Sequence, residues 1–164
     1  MSLQQLLDDI PPPADRAHAE HDWESIEQGL GFPLPSDYKG IVEAYGMGQF
    51  GEFIYVHQPN SSHEFVDLAS ENDGYLEAFR DLQESGIPVN YRLESPAELI
   101  CCGREDNGDP IFWHRVESDP DTWPIVVLEA RGDGEYRHQG NLSDFLHKAL
   151  TSEIRVSVFP DDFP

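Results

Sequence analysis

The spacing Gly46-x-Gly48-x-x-Gly51 is that of a loop whose backbone N–H groups could close around a pyrophosphate, provided a strand precedes it and a helix follows. Here the order is reversed: a helical pattern ends at Gly46 and a β-rich run begins at Phe53, so the glycines read as a helix stop and a turn. A kinase-type loop would need a downstream lysine and a catalytic aspartate motif, and neither accompanies it. His18 and His21, three apart beside Glu20 and Asp22, have the spacing of a surface metal site on a helix, but no H-E-x-x-H or paired Cys/His pattern supports it. Asp106-Asn107-Gly108-Asp109 contains a fragment of a calcium loop without the distal bidentate glutamate, and a hairpin turn accounts for it. Cys101 and Cys102 are adjacent in an apolar run, which points to a buried strand and not to a disulfide or redox pair. Asn60-Ser61-Ser62 fits a glycosylation sequon but lacks a secretory signal before it, and no G-x-S-x-G elbow is present. With thirty-two carboxylates, pairs suited to acid/base chemistry arise by chance in almost any fold. The expectation is a protein without catalytic residues, cofactor or metal, hence not an enzyme.

The elements that position these residues follow from periodicity. Leu3, Leu6, Leu7 and Ile10 share one face of a short helix that Pro11-Pro12-Pro13 ends. A second helix runs from about Asp15 or Asp22 to Gln28, burying Trp23 and Ile26 and stopping at Gly29 and Gly31. Ser36 is placed to cap a third, with Tyr38, Ile41, Val42 and Tyr45 on its inner face. Phe53 to Val56 reads as a strand, and Glu71 to Glu84, with Tyr75, Leu76, Phe79 and Leu82 at helical spacing, as a long helix. From Glu98 the pattern changes to strands Leu99–Cys102, Ile111–Val116, Pro124–Ala130 and Glu135–His138. Asn107-Gly108 and Asp133-Gly134 supply tight turns of positive φ between them. Ser143 is placed to cap a last helix through Leu150, and Ile154–Val158 reads as a returning edge strand. Helices grouped around a meander predict an α+β domain with a mostly antiparallel sheet flanked by helices.

Thirty-two acidic against ten basic residues give a net charge of −22, a potential that repels nucleic acid and anionic membrane and speeds encounter with basic partners. The first ten residues carry no basic stretch, and no run approaches the roughly 18 apolar residues of a membrane span, which predicts a cytoplasmic chain. Oligomeric state is not legible here, because an edge strand pairs with a second chain as readily as it is covered.

The block Trp23-x-x-Ile26-Glu27-x-x-Leu30-Gly31-x-x-Leu34-Pro35-x-Asp37-Tyr38, followed by the turn Gly46 to Gly51, resembles the SUKH superfamily, in particular its Smi/Knr branch. Cys102-Gly103 through Asn107-Gly108-Asp109 to Trp113, the strand Pro124–Leu128, and Ser143-x-Phe145-Leu146 continue the resemblance in the same order, from about Asp22 to Leu150. The chain then divides into an N-terminal helix and Pro-rich connection (1–21), the SUKH-like domain (22–152), and a C-terminal strand and tail packed on it (153–164). The resemblance implies a bacterial immunity protein that binds and neutralises a cognate polymorphic toxin. It leaves a regulatory scaffold as the alternative reading, ahead of an enzyme or nucleotide binder.

Trp23, Ile26, Leu34 and Tyr38 have core spacing, so the shared block builds the scaffold, and recognition falls to exposed groups elsewhere. The candidates are Glu64, Asp67, Glu71, Asp73, Glu77, Asp81 and Glu84, read as one acidic face with its preceding loop. The partner they suit is a basic protein, such as a nuclease toxin domain.

Overall fold

Apolar residues at helical spacing, and the polar groups that stop each run, set the helices of the computed structural model, which describes residues 2–15, 19–86 and 98–164. α1 (Ser2–Asp9) buries Leu6 completely. α2 (Trp23–Leu30) starts at Asp22, not Asp15, because the Asp22 carboxylate accepts from Ser25 N–H at 3.2 Å; Gly31, at φ 81°, ends it. α3 (Ser36–Tyr45) ends at Gly46 and α4 (Leu68–Glu84) runs three residues longer at its start than its apolar spacing suggests. α5 (Leu142–Leu150) completes the set.

Two caps differ from expectation. Ser36 is the first helical residue behind Pro35, and its N–H and hydroxyl donate to the Asp121 carboxylate at 2.6 and 3.0 Å. Asn141 caps α5 in place of Ser143: its extended backbone directs its side chain to the Asp144 N–H, while Ser143 lies inside the helix and is buried.

The six strands are β1 (Gln49–Phe50), β2 (Ile54–Val56), β3 (Leu99–Glu105), β4 (Pro110–His114), β5 (Ile125–Leu128) and β6 (Glu135–His138). They pair antiparallel in chain order, so the architecture is α+β with an antiparallel sheet flanked by helices. β1 lies within the glycine-rich turn, where Gln49 pairs with Tyr55 and Phe50 with Ile54. Gly108 closes the β3–β4 hairpin at φ 89°, as its Asn-Gly pattern predicts. The β5–β6 turn works otherwise: neither Asp133 nor Gly134 has positive φ, and the Glu129 carboxylate accepts the Gly134 N–H at 3.0 Å.

A register shift in β3 between Cys101 and Gly103 brings that strand close to β2, where an added Cβ at 103 would sit 2.5 Å from the Tyr55 carbonyl oxygen. Only glycine fits that approach. Cys101 and Cys102 then face opposite sides of the sheet. Cys102 joins the large core with Tyr38, Ile41, Trp113, Ile125, Phe145 and Leu6; Cys101 joins a smaller cluster with Leu99, Phe112, Val126, Leu128 and Phe79. Both thiols are free and buried, and burial pushes their pKa values well up, so neither is poised as a nucleophile.

The segment Ile154–Val158 is not a strand. The N–H groups of Glu153 and Ile154 fold back onto the Lys148 carbonyl at the end of α5, and Pro160 follows. Phe159 and Phe163 pack instead around Phe53, with ring centroids 4.9–5.3 Å apart.

Asp37, in the first turn of α3, is 7% exposed. One carboxylate oxygen accepts from Tyr38 N–H at 2.9 Å and the other from Ser143 N–H at 2.8 Å, joining the N-termini of α3 and α5. Burial raises its pKa, while the bonds from Ser143 and Tyr38 oppose the shift. Replacing Asp37 by Ala should leave buried N–H groups without an acceptor and cost about 3 kcal/mol. Asp37→Asn should recover little of this, because its NH2 would face one of the two donors. A urea titration that shows either variant with the wild-type midpoint would refute this role.

Candidate partner-binding face

α4 covers the second face of the sheet through Tyr75 and Phe79, whose rings lie 5.8 and 5.9 Å from that of Phe112. The Asn72 side-chain oxygen accepts the Cys101 N–H at 3.0 Å and fixes the helix along β3. A helix turns by about 100° per residue, so Asp73, Glu77, Asp81 and Glu84 fall within an arc of about 80° on the side away from Tyr75. All four are exposed, as is Glu64 in the 3-10 turn Glu64–Val66 that leads into the helix. The helix carries one cation, Arg80, against five carboxylates.

Two expected members do not belong to this surface. Asp67 is 9% exposed, because its carboxylate holds the start of α4: one oxygen accepts Ser61 N–H at 2.9 Å, the other Ser70 N–H and Ser70 hydroxyl at 3.0 and 2.9 Å. This is an N-cap, and its three accepted hydrogen bonds commit the carboxylate to the fold. Glu71 points the opposite way from Asp73, since the same helical periodicity places it with Tyr75 and Leu82. It is half-buried, and burial first of all raises its pKa, with Arg104 opposing. Periodicity already carried this correction, because the inner and outer faces of a helix cannot both include positions 71 and 73.

Beneath Glu71 lies His57, fully buried, with Nε2 4.0 Å from a Glu71 carboxylate oxygen. Its pKa is pushed down to about 4, chiefly by burial, against an opposing backbone hydrogen bond at Cys101 and with the Arg104 charge adding to the effect. The imidazole is therefore neutral at physiological pH. Among the described residues no group of three or more His, Cys, Asp or Glu side chains is arranged to hold a metal ion, and His18 lies outside them. The Gly46–Gly51 loop leaves α3 and enters β1 and β2, the reverse of a dinucleotide-binding order.

Arg104 of β3, half-buried, lies 5.6 Å from the Tyr55 ring centroid and 5.9 Å from that of Phe65. Phe65 is 62% exposed, next to Glu64. Sequence reading passed over this group, whose only signal is a lone aromatic residue in the polar run Ser61-Ser62-His63-Glu64.

With a sheet in simple meander order, a helical layer built on the Trp23–Tyr38 block, and α5 tied back to Asp37, the geometry can be set beside known families. Residues 20–146 match the SUKH family described as SMI1-KNR4 cell-wall. The chain belongs to the SUKH family. A comparison with curated proteins found no match, nor did a comparison with solved structures. The SUKH core here extends beyond the matched residues: Tyr45 hydroxyl donates to the Ile10 carbonyl at 2.7 Å, and His147 of α5 meets Asp9 of α1 at 2.7 Å. Among the described residues no helix is long and apolar enough to cross a membrane.

The His57 pKa has a defined consequence for stability. A folded pKa of about 4 lies below the ordinary 6.5, so between those values the unfolded chain binds a proton that the folded chain does not. The stabilisation is complete above about pH 6.5 and declines as pH falls, by about 2 kcal/mol at pH 5. The raised carboxyls of Asp37 and Glu71 act in the opposite sense in the carboxylate range. His57→Leu should remove most of the difference between urea midpoints measured at about pH 7 and about pH 5. An undiminished difference would assign the acid sensitivity to other groups.

Proposed function

We propose that this SUKH chain is a non-catalytic immunity-type protein that binds and neutralises a cognate toxin domain with a basic surface. The observation that carries this reading is the exposed carboxylate ridge of α4, Asp73, Glu77, Asp81 and Glu84, continued by Glu64. Its acids share one helix face that the sheet leaves free, whereas Asp67 and Glu71 are committed to the fold. A net charge of −22 extends the same negative field over the whole molecule and favours encounter with a cationic partner. A toxin that acts on nucleic acid presents such a cationic groove to its substrate, and the ridge would compete for it.

The decisive experiment asks whether the adjacent reading frame encodes a toxin domain, co-expresses the chain with that domain and scores growth; an adjacent frame without one counts against the reading. Protection supports the reading. Several endogenous partners without protection from that toxin would replace it with a regulatory scaffold. In stopped-flow association with the toxin domain, the triple variant Asp73→Lys, Glu77→Lys, Asp81→Lys should slow the on-rate by about 10- to 100-fold at low salt. The wild-type rate should fall steeply with added salt as exposed charges are screened. A salt-independent on-rate, unchanged by the reversals, rejects the ridge as the steering surface.

A further inference from the structure

Among the exposed large apolar side chains of the described residues, Phe65 is the one whose ring lies against a cation. Met47 and Val116 are also exposed, but Met47 sits in the glycine-rich turn and Val116 lies next to Arg115, whose guanidinium packs over Trp123. Phe65 is presented by a segment pinned at both ends. Val66 N–H donates to His63 carbonyl at 3.0 Å; Gln58 N–H donates to Val66 carbonyl at 2.7 Å; Leu68 N–H donates to Gln58 carbonyl at 2.9 Å. Asp67 accepts from Ser61 N–H, which closes the loop.

Behind the ring, Arg104 lies within stacking distance of both Phe65 and Tyr55. Among the described residues no carboxylate comes within ion-pair distance of that guanidinium. It is held by aromatic faces, although the carboxylates of Glu64, Asp67 and Glu71 are close enough to act on one another electrostatically. The result is a stack of Tyr, Arg and Phe, pinned at its base and open at its tip, with the exposed Glu64 carboxylate beside it. Arg and aromatic side chains are the types that dominate binding energy at protein interfaces, and a pinned presentation lowers the ordering cost of association.

We propose that Phe65, braced by Arg104 on Tyr55, is the apolar anchor of the interface, and that the partner receives it in an apolar hollow rimmed by lysine or arginine. Charge complementarity selects this occupant: with the exposed Glu64 beside the ring and a net charge of −22, a second copy of the same chain is repelled and a cationic partner attracted. The inference rests on the immunity reading and divides its labour. The α4 ridge sets how fast the partner arrives, and Phe65 sets how long it stays.

The test measures binding of the toxin domain identified by protection in co-expression, by surface plasmon resonance, with wild-type chain, F65A and R104K. F65A should raise the off-rate at least tenfold while leaving the on-rate and its salt dependence within about twofold of wild type. R104K keeps the charge but loses the planar stack, and should raise the off-rate by a smaller factor, about three- to tenfold. Equal off-rates for wild type and F65A overturn the anchor and leave the immunity reading standing. Absence of binding by the wild-type chain overturns both. A homodimer in solution that F65A converts to monomer also overturns the proposal, because it assigns Phe65 to a second copy.

Discussion

One buried carboxylate fixes the relation between the two halves of this chain. Asp37 belongs to the N-terminal helical block, yet one of its oxygens is given to the N–H of Ser143, more than a hundred residues later. Both oxygens accept at the start of a helix, where unsatisfied N–H groups and the helix dipole favour a negative charge. Burial taxes that charge, as the raised pKa of Asp37 records, and the paired donors offset the penalty. The contact sets α5 beside α3, which in turn places Phe145 and Leu146 over the large face of the sheet. Tyr38, the next residue, donates its hydroxyl to the His57 carbonyl at 2.7 Å and rests its ring on Trp113, so the same corner registers the helices against β2 and β4.

The same use of carboxylates recurs through the fold and changes the meaning of the net charge. Glu27 accepts Leu34 N–H, Glu105 accepts Asn107 and Asp109 N–H, Asp109 accepts Ala130 N–H, and Asp121 accepts Ser36 N–H. These are turn and cap positions, where a short acceptor side chain takes the place of a missing backbone partner. Acidity in this sequence is therefore in part architectural. Glu105, at 1% exposure, contributes nothing to an external surface, and burial raises its pKa against the two N–H bonds it accepts. Among the carboxylates that face solvent from regular elements, α4 carries four on one face.

The sequence shows its elements where local chemistry decides them. Apolar spacing located the helices, Asn107-Gly108 located a hairpin of positive φ, and the change from helical to alternating pattern near Glu98 marked the meander. Misreadings arose where a distant group decided the outcome. Ser36 and Ser143 look like caps in isolation, but Asp121 and Asp37 come to them from far along the chain. Ile154–Val158 has strand composition, yet α5 ends in free carbonyls that recruit the following N–H groups. At the candidate site the exposed ridge was legible as composition. The inward turn of Glu71 was legible as periodicity. The Tyr55–Arg104–Phe65 stack was not, because its three residues come from three segments whose proximity exists only after the sheet has formed.

The two faces of that sheet are unequal, and the inequality bears on where function resides. The larger face is sealed by α1, α2, α3 and α5 around fully buried Leu6, Tyr38, Trp113 and Phe145. The other is covered in the described residues by α4, through a small cluster, and beneath its first turn lies the buried, neutral His57. Substitutions on the outer side of α4 touch neither the Asp37 junction nor the large core. On the proposed reading, recognition sits on such a face. Changes there alter charge and shape while the scaffold keeps its folding energy, and the division between a fixed helical block and a free acidic helix follows from the packing itself.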